Sequence, residues 1–216
     1  MERILILRHA RTAWNAERRF QGQADPPLDD VGRAQAYEVS ALIAAFRPAL
    51  IVSSDAQRAV YTAEPVAGAC GLEVVVDKRL RERSLGHWEG LTREEVHERF
   101  PDEFADWRAG RDVSRRGGET RKQVADRAME MFAELPDVDV VTLVTHSATA
   151  MALVSAILGL SHEVHVLGPL ANCHWSELVW EEERWRLRAH NVGSPGPVIP
   201  LLTSDLGEDD AADAHA

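Results

Sequence analysis

The 216-residue chain carries 24 Lys and Arg against 35 Asp and Glu, a formal net charge of −11, which argues against nucleic acid or an anionic membrane as a general partner. The length suits one domain with a sizeable core. Two cysteines, Cys70 and Cys173, are too few for a disulfide framework and read as packing residues of a reducing cytosol. Acidic Glu2 and a first apolar run of only four residues do not fit a signal peptide, and the interrupted apolar stretch 148–160 is too short for a bilayer. The expectation is a cytoplasmic protein with no membrane partner.

The first element is Ile4-Leu5-Ile6-Leu7, a branched-aliphatic run that predicts a strand buried on both faces of a parallel sheet. Arg8-His9 then fall at the carboxyl edge of that strand, where open α/β sheets bind ligands. The apolar spacing of 32–46 predicts a helix ended by Pro48. Leu50-Ile51-Val52-Ser53 predicts a second strand, leading into a helix over 56–69 with Asp55 as N-cap, Arg58 on the first turn and Pro65 as a possible kink. Strand 73–76 is followed by Leu80-Arg81-Glu82. Two short amphipathic helices are predicted over 93–100 and 103–109, and a longer one over 120–135 with Val124, Ala128, Met131, Phe132 and Leu135 on one face. The β-branched run 140–145 predicts a further strand, with His146 at its end and a helix starting at Ser147. Segments 173–180 and 184–191 alternate around Glu181-Glu182-Glu183, which suggests a hairpin. Beyond Gly193 a Pro- and Gly-rich stretch gives way to an acidic tail, read as disordered over 194–216. The pattern supports a single α/β domain over 1–193.

Three strand-to-helix junctions thus offer Arg8-His9, Arg58 and His146, and a fourth strand end offers Glu82. Guanidinium groups grip phosphate oxygens bidentately. An imidazole with an unperturbed pKa near 6.5 can be neutral and nucleophilic at pH 7. The amides that open the helix at Ser147 can hold an anion, and a carboxylic acid can donate a proton. Together these supply a nucleophile, an anion clamp and an acid. His162-Glu163-Val164-His165 lacks the spacing of a helical zinc motif, so no metal site is expected. Trp88, Trp107, Trp175, Trp180 and Trp185 read as core or interface, with Trp175 and Trp180 candidates for supporting a homodimer through the hairpin.

Five blocks appear in order: Leu7-Arg8-His9-Ala10-Arg11-Thr12-Ala13-Trp14-Asn15 with Phe20-Gln21-Gly22; Ser53-Ser54-Asp55-Ala56-Gln57-Arg58-Ala59-Val60-Tyr61-Thr62-Ala63; Leu80-Arg81-Glu82 running to Thr92; Gly117-Gly118-Glu119-Thr120; and Val144-Thr145-His146. In these blocks the chain resembles the histidine phosphatase superfamily, the phosphoglycerate-mutase-like proteins. Leu167-Gly168, Asn172, Trp175, Leu178 and Arg184-Trp185-Arg186-Leu187 are in addition similar to the actinobacterial glucosyl-3-phosphoglycerate phosphatases within it.

The resemblance implies a three-layer α/β/α sandwich with a mostly parallel sheet, a C-terminal hairpin and a short helical cover, about 84–118, over the site. It implies His9 as the phosphoryl-accepting nucleophile, Arg8, Arg58 and His146 around the phosphate, and Glu82 as acid and then base. Asn15, Gln21, Gly22 and Ser147 fall at phosphate- or substrate-binding positions. No cofactor or metal is required. Ala10 and Ser147-Ala148 stand where the family commonly has glycine, an expected change of packing rather than of activity. Arg11 replaces the usual Glu or Gln and either binds a second anionic group of the substrate or is solvated; Arg81, Arg83, Arg115 and Arg116 hint at the same group. The implied function is a metal-independent phosphomonoesterase for a small phosphorylated metabolite, such as glucosyl-3-phosphoglycerate or another sugar phosphate. A cofactor-dependent phosphoglycerate mutase and a catalytically silent phosphate sensor are the alternatives, the short cover without a Pro cluster speaking against a mutase.

Overall fold

The computed structural model describes residues 1–161 and 166–193. The apolar run at the N-terminus forms the strand β1 (Arg3–Arg8), followed by a one-turn helix α1 (Ala13–Ala16) and α2 (Asp30–Ala44). The chain continues through β2 (Leu50–Ser53), α3 (Gln57–Cys70), β3 (Val74–Val76), α4 (Arg93–Arg99), α5 (Pro101–Arg108) and α6 (Arg121–Ala133). It ends with β4 (Val140–Thr145), α7 (Ser147–Ile157) and the hairpin β5 (Trp175–Glu181) and β6 (Arg184–Val192). The six strands form one sheet in the order β3-β2-β4-β1-β5-β6. β1 and β4, β4 and β2, and β2 and β3 pair parallel, whereas β5 runs antiparallel to β1 and β6 to β5.

β1 is apolar on both faces because both faces are covered. Leu5 and Leu7 pack with Ala36, Val39 and Ile43 of α2 and Ala59, Ala63 and Val66 of α3. Ile4 and Ile6 point the other way, to Ala128 and Met131 of α6 and Ala150, Leu153 and Val154 of α7. The period-2 alternation of a strand thus splits one aliphatic run between two cores, giving the three-layer sandwich. Each such side chain withdrawn from water contributes about 1.5–3 kcal/mol. A third, smaller core belongs to the cover: Trp88, Val96 and Val113, with Phe20, Leu85, Phe100, Phe104 and Trp107 against them. Pro101 opens α5, where its missing N–H costs nothing. No helix among the described residues is long and apolar enough to cross a membrane.

The structure corrects two local readings, at Asp55 and at Trp175. Asp55 is not the N-cap of α3; the cap is Ala56, without a side-chain bond. Asp55 instead receives two bonds from Arg81, at 2.7 and 2.6 Å, and the Gln57 amide donates to Asp25. A fork-to-carboxylate pair with two charge-assisted bonds outcompetes a single amide. α3 runs through Pro65 without interruption. Trp175 is core rather than interface, buried with its ring edge-on to Phe46, because β5 lies inside the sheet. Trp180 stays exposed, its ring against Trp185, so a dimer through the hairpin would rest on Trp180 and the β6 edge. The proposed disordered tail and the His162–His165 pair lie outside the described residues.

One close approach fixes the segment that follows the first strand. The Asp29 side chain caps α2 by accepting from the Gly32 amide at 2.7 Å. A Cβ on Gly32 would stand 1.9 Å from the carbonyl oxygen of Arg11, so only glycine lets the helix start rest on that loop. Gly68 of α3 has nothing within 4 Å of its virtual Cβ. Gly32→Ala is expected to lower the free energy of urea unfolding by about 1–3 kcal/mol, whereas Gly68→Ala should raise it by about 0.4–1 kcal/mol. Equal effects of the two would contradict the packing described here.

Candidate active site

Parallel pairing sets the geometry. The register Arg8↔Thr145 between β1 and β4 brings the next residues, His9 and His146, side by side where both strands end. Their ring centroids lie 5.1 Å apart. β2 joins β4 in the register Ser53↔Val144, which brings Ser54 and the start of α3, with Arg58, to the same edge. Three strand ends therefore deliver His9, His146 and Arg58 together, as the sequence predicts.

His9 is 3 % exposed and His146 fully buried. The Nδ1 of His9 lies 2.7 Å from the carbonyl oxygen of Ala10. A carbonyl only accepts, so Nδ1 carries the proton and Nε2 keeps its lone pair. Burial first, then the guanidinium groups of Arg58 and Arg8, push His9 well below the usual imidazole pKa. Burial, Arg58, His9 and Arg8 do the same to His146. Both rings are therefore neutral at pH 7.

The guanidinium groups are held by carbonyl oxygens, which orient a cation without cancelling its charge. Arg58, 1 % exposed, donates to the carbonyls of Ala24 at 2.6 Å and Gly22 at 2.9 Å, and more weakly to Asp25 at 3.3 Å. Arg8 donates to the Leu170 carbonyl. Gly22 has φ +50°, and a Cβ there would meet the Glu89 carboxylate at 2.2 Å. That carboxylate accepts from the amides of Gln23 and Leu85, so a missing side chain lets the Arg58-holding loop join the cover.

Glu82 is half-buried and caps α7. His146 is the N-cap residue but makes no side-chain cap bond. The Glu82 carboxylate instead accepts from the amides of Ala148 and Thr149, each at 3.2 Å. The amides that open α7 thus donate to the protein's own Glu82 carboxyl oxygens. Thr145 and Thr149 hydroxyls donate to the carbonyls of Leu80 and Arg81, binding the Glu82 loop to β4 and α7.

The remaining predicted residues divide. Asn15 uses its side-chain oxygen internally, accepting from Thr12 and from Asn172, which leaves its amide N–H groups for a ligand. Buried Oε1 of Gln21, Oγ of Ser147, Nε of Arg58 and Nδ1 of His146 have no hydrogen-bond partner among the described residues. Arg11 is committed to Asp29 at 2.9 Å. Arg81 pairs with Asp55, Arg83 with Asp112 and Arg115 with Asp106. Arg116 is buried over the Trp88 ring, and burial lowers its pKa to about 10. All five arginines that hinted at a second anionic group are thus paired with a carboxylate or buried. Among the described residues no group of three or more His, Cys, Asp and Glu is placed to hold a metal ion.

Several positioning residues carry no signature of their own in the sequence. Arg127 pairs with Glu119 through two bonds and donates to the carbonyls of Arg79 and Glu82; Glu119 also accepts from the Ser84 amide. Asn172 donates to the His9 carbonyl, and Thr62 accepts from the Ala10 amide. Ala10 itself is fully buried, so its methyl group is accommodated. Glu119 and Thr62 lie in the sequence blocks and Asn172 in the C-terminal pattern, whereas Arg127 lies in none of them.

The two buried histidines make folding pH-dependent. Their native pKa values lie below the unfolded value of about 6.5, so the unfolded state binds more protons as pH falls below it, and stability is lost in that direction. Between pH 6.5 and 5.5 wild type should lose about 1 kcal/mol more unfolding free energy than His9→Ala, as measured by urea denaturation. Parallel pH dependences for the two would contradict a buried neutral His9.

Comparison with known proteins converges on the same reading. A family model for the histidine phosphatase superfamily (branch 1) matches residues 4–193. A glucosyl-3-phosphoglycerate phosphatase of Mycolicibacterium vanbaalenii is 36% identical over 216 residues, covering 90% of this chain and 96% of that protein. A probable phosphoglycerate mutase, GpmB, of Salmonella typhi is 35% identical over 216 residues, covering 96% and 99%. The solved structure of a mycobacterial glucosyl-3-phosphoglycerate phosphatase with VO3 superposes with a TM-score of 0.80 at 36% identity, covering 89% of this chain and 100% of that one. With the paired histidines and guanidinium groups at one sheet edge, these matches place the chain in the histidine phosphatase superfamily.

Proposed function

We propose that this phosphatase hydrolyses a small phosphomonoester without a metal, through a phosphohistidine formed on Nε2 of His9. The observation that carries the reading is the bond from His9 Nδ1 to the Ala10 carbonyl, which fixes a lone pair on Nε2 of a ring kept neutral beside two guanidinium groups. In the first step Nε2 attacks phosphorus, the N–P bond forms and the bond to the leaving oxygen breaks. Arg8 and Arg58 balance charge on the transferring oxygens, and the carbonyls that hold them mean little reorganisation is needed. Protonated Glu82 gives its proton to the leaving alkoxide. In the second step Glu82 takes a proton from water, the hydroxide attacks phosphorus, and the N–P bond breaks to return neutral His9. The positive charge a metal would bring comes from the arginines.

For the substrate we propose glucosyl-3-phosphoglycerate, on the strength of the relatives bearing that name. The match to a probable phosphoglycerate mutase supports the alternative fate of the same intermediate. Against it stands the cover, where Arg115 is neutralised by Asp106 and Arg116 is buried on Trp88, so this pair does not offer a free clamp for a second phosphoglycerate. The two cysteines are free, in keeping with a reducing cytoplasm as the site of action.

The test is phosphate release from glucosyl-3-phosphoglycerate and a panel of sugar phosphates in chelator, beside isomerisation of 3-phosphoglycerate. Net phosphate release is expected, falling on the order of 10³-fold or more in His9→Ala. Isomerisation without release would overturn hydrolysis in favour of the mutase. Glu82→Gln is expected to cost roughly 10²–10⁴-fold on sugar phosphates and far less on nitrophenyl phosphate, whose leaving group needs no proton. Equal losses would assign the acid role elsewhere.

A further inference from the structure

We propose that Ser54 is a positioning residue that holds His146 in the Nδ1–H tautomer, so that His146 presents a buried N–H donor to a phosphate oxygen. The inference deepens the phosphatase reading and rests on it for the purpose of that donor.

The argument is an account of hydrogens. Nε2 of His146 lies 3.0 Å from Oγ of Ser54, and both residues are fully buried. Either the ring donates to the hydroxyl or the hydroxyl donates to the ring. The Ala56 amide already donates to the same Oγ at 3.3 Å, and an amide can only donate. If the ring donated as well, the Ser54 proton would be left without an acceptor among the described residues, where the hydrogen-bond partners of Oγ are the Ala56 amide and this ring nitrogen. A buried unmatched hydroxyl is costly. If Ser54 donates to Nε2, a single group is left over, the N–H on Nδ1, against two in the other arrangement, the hydroxyl proton and the Nδ1 lone pair. Nε2 is then the acceptor, and a neutral ring must carry its proton on Nδ1.

That proton has a consequence. Nδ1 of His146 is buried and has no partner among the described residues, and its ring stands 5.1 Å from that of His9. An N–H there is matched when a phosphate oxygen arrives. In the other tautomer Nδ1 would turn a lone pair to an anionic oxygen, replacing attraction by repulsion. Burial and the cations Arg58 and Arg8 keep the ring from taking a second proton, so the tautomer, not the charge, decides whether His146 can donate. The strand register makes the contact systematic: Ser53 pairs with Val144, and the Ser54 amide donates to the Val144 carbonyl at 2.9 Å. The hydroxyl is thereby fixed just past the end of β2, beside the end of β4 that leads into His146.

Two-dimensional long-range 1H–15N spectra of the chain with labelled histidine test the assignment directly. In the wild type without ligand, His146 is expected to show a protonated Nδ1 and a bare Nε2. A protonated Nε2 would overturn the proposal, even if Ser54→Ala proved too unstable to study. In Ser54→Ala the Nε2-protonated form should gain population, and affinity for inorganic phosphate should fall about tenfold, the loss of one charge-assisted bond. Ser54→Thr, which keeps the hydroxyl, should preserve the wild-type tautomer. An unchanged tautomer and phosphate affinity in Ser54→Ala would also overturn it. The tautomer is read without substrate, so it stands or falls apart from turnover, and absent phosphate release by the wild type would instead indict the phosphatase reading.

Discussion

The site depends on one pairing, β1 beside β4 in the register Arg8↔Thr145. A parallel ladder places corresponding strand ends at the same edge, so fixing this register fixes His9 against His146. A slip by one residue would send every β1 side chain to the opposite face. Leu5 and Leu7 would then face α6 and α7, and the two cores on either side of the sheet would lose their shape. The packing that stabilises the fold therefore also holds the two rings together. That is why the chemistry sits at strand ends rather than on longer loops.

Burying two imidazole rings beside two guanidinium groups is electrostatically unfavourable, and the structure absorbs the cost in a particular way. Strong carboxylate partners would quench the charge that phosphate must meet. Arg58 donates at 2.6 and 2.9 Å to the carbonyl oxygens of Ala24 and Gly22 and at 3.3 Å to Asp25, and Arg8 donates to the Leu170 carbonyl. The histidines respond by staying neutral, driven first by burial and then by the cations. In the proposed mechanism the cations that stabilise the transferring phosphoryl group also keep His9 unprotonated. Outside this centre, Arg11, Arg81, Arg83 and Arg115 are each matched to an aspartate at 2.6–2.9 Å, closer than Asp25 stands to Arg58 at 3.3 Å.

Much of this was legible in the sequence where local rules decide. Aliphatic runs followed by Arg-His, His or a helix-opening segment marked the strand ends, and the elements from Arg3 to Val192 fall close to where apolar spacing places them. Long-range pairing was not legible. Asp55 has the chemistry of an N-cap, and only the position of Arg81, 26 residues on, turns it into an ion-pair partner. Arg11 and Arg116 look like ligands for anions until Asp29 and the Trp88 face come alongside. Trp175 resembles an interface residue until β5 is seen inside the sheet. The contacts of Ser54 with His146 and of Arg127 with Glu119 and the Glu82 carbonyl are long-range, and such contacts leave no periodic or compositional trace.

The central claim is that the chain transfers phosphoryl groups through Nε2 of His9, and trapping the intermediate tests it most directly. Rapid acid-free quenching during turnover of a 32P-labelled phosphomonoester, followed by peptide mapping, should find base-stable, acid-labile label on His9, and none in His9→Ala. Label on another residue, or burst kinetics with no labelled protein at any time, would contradict the account.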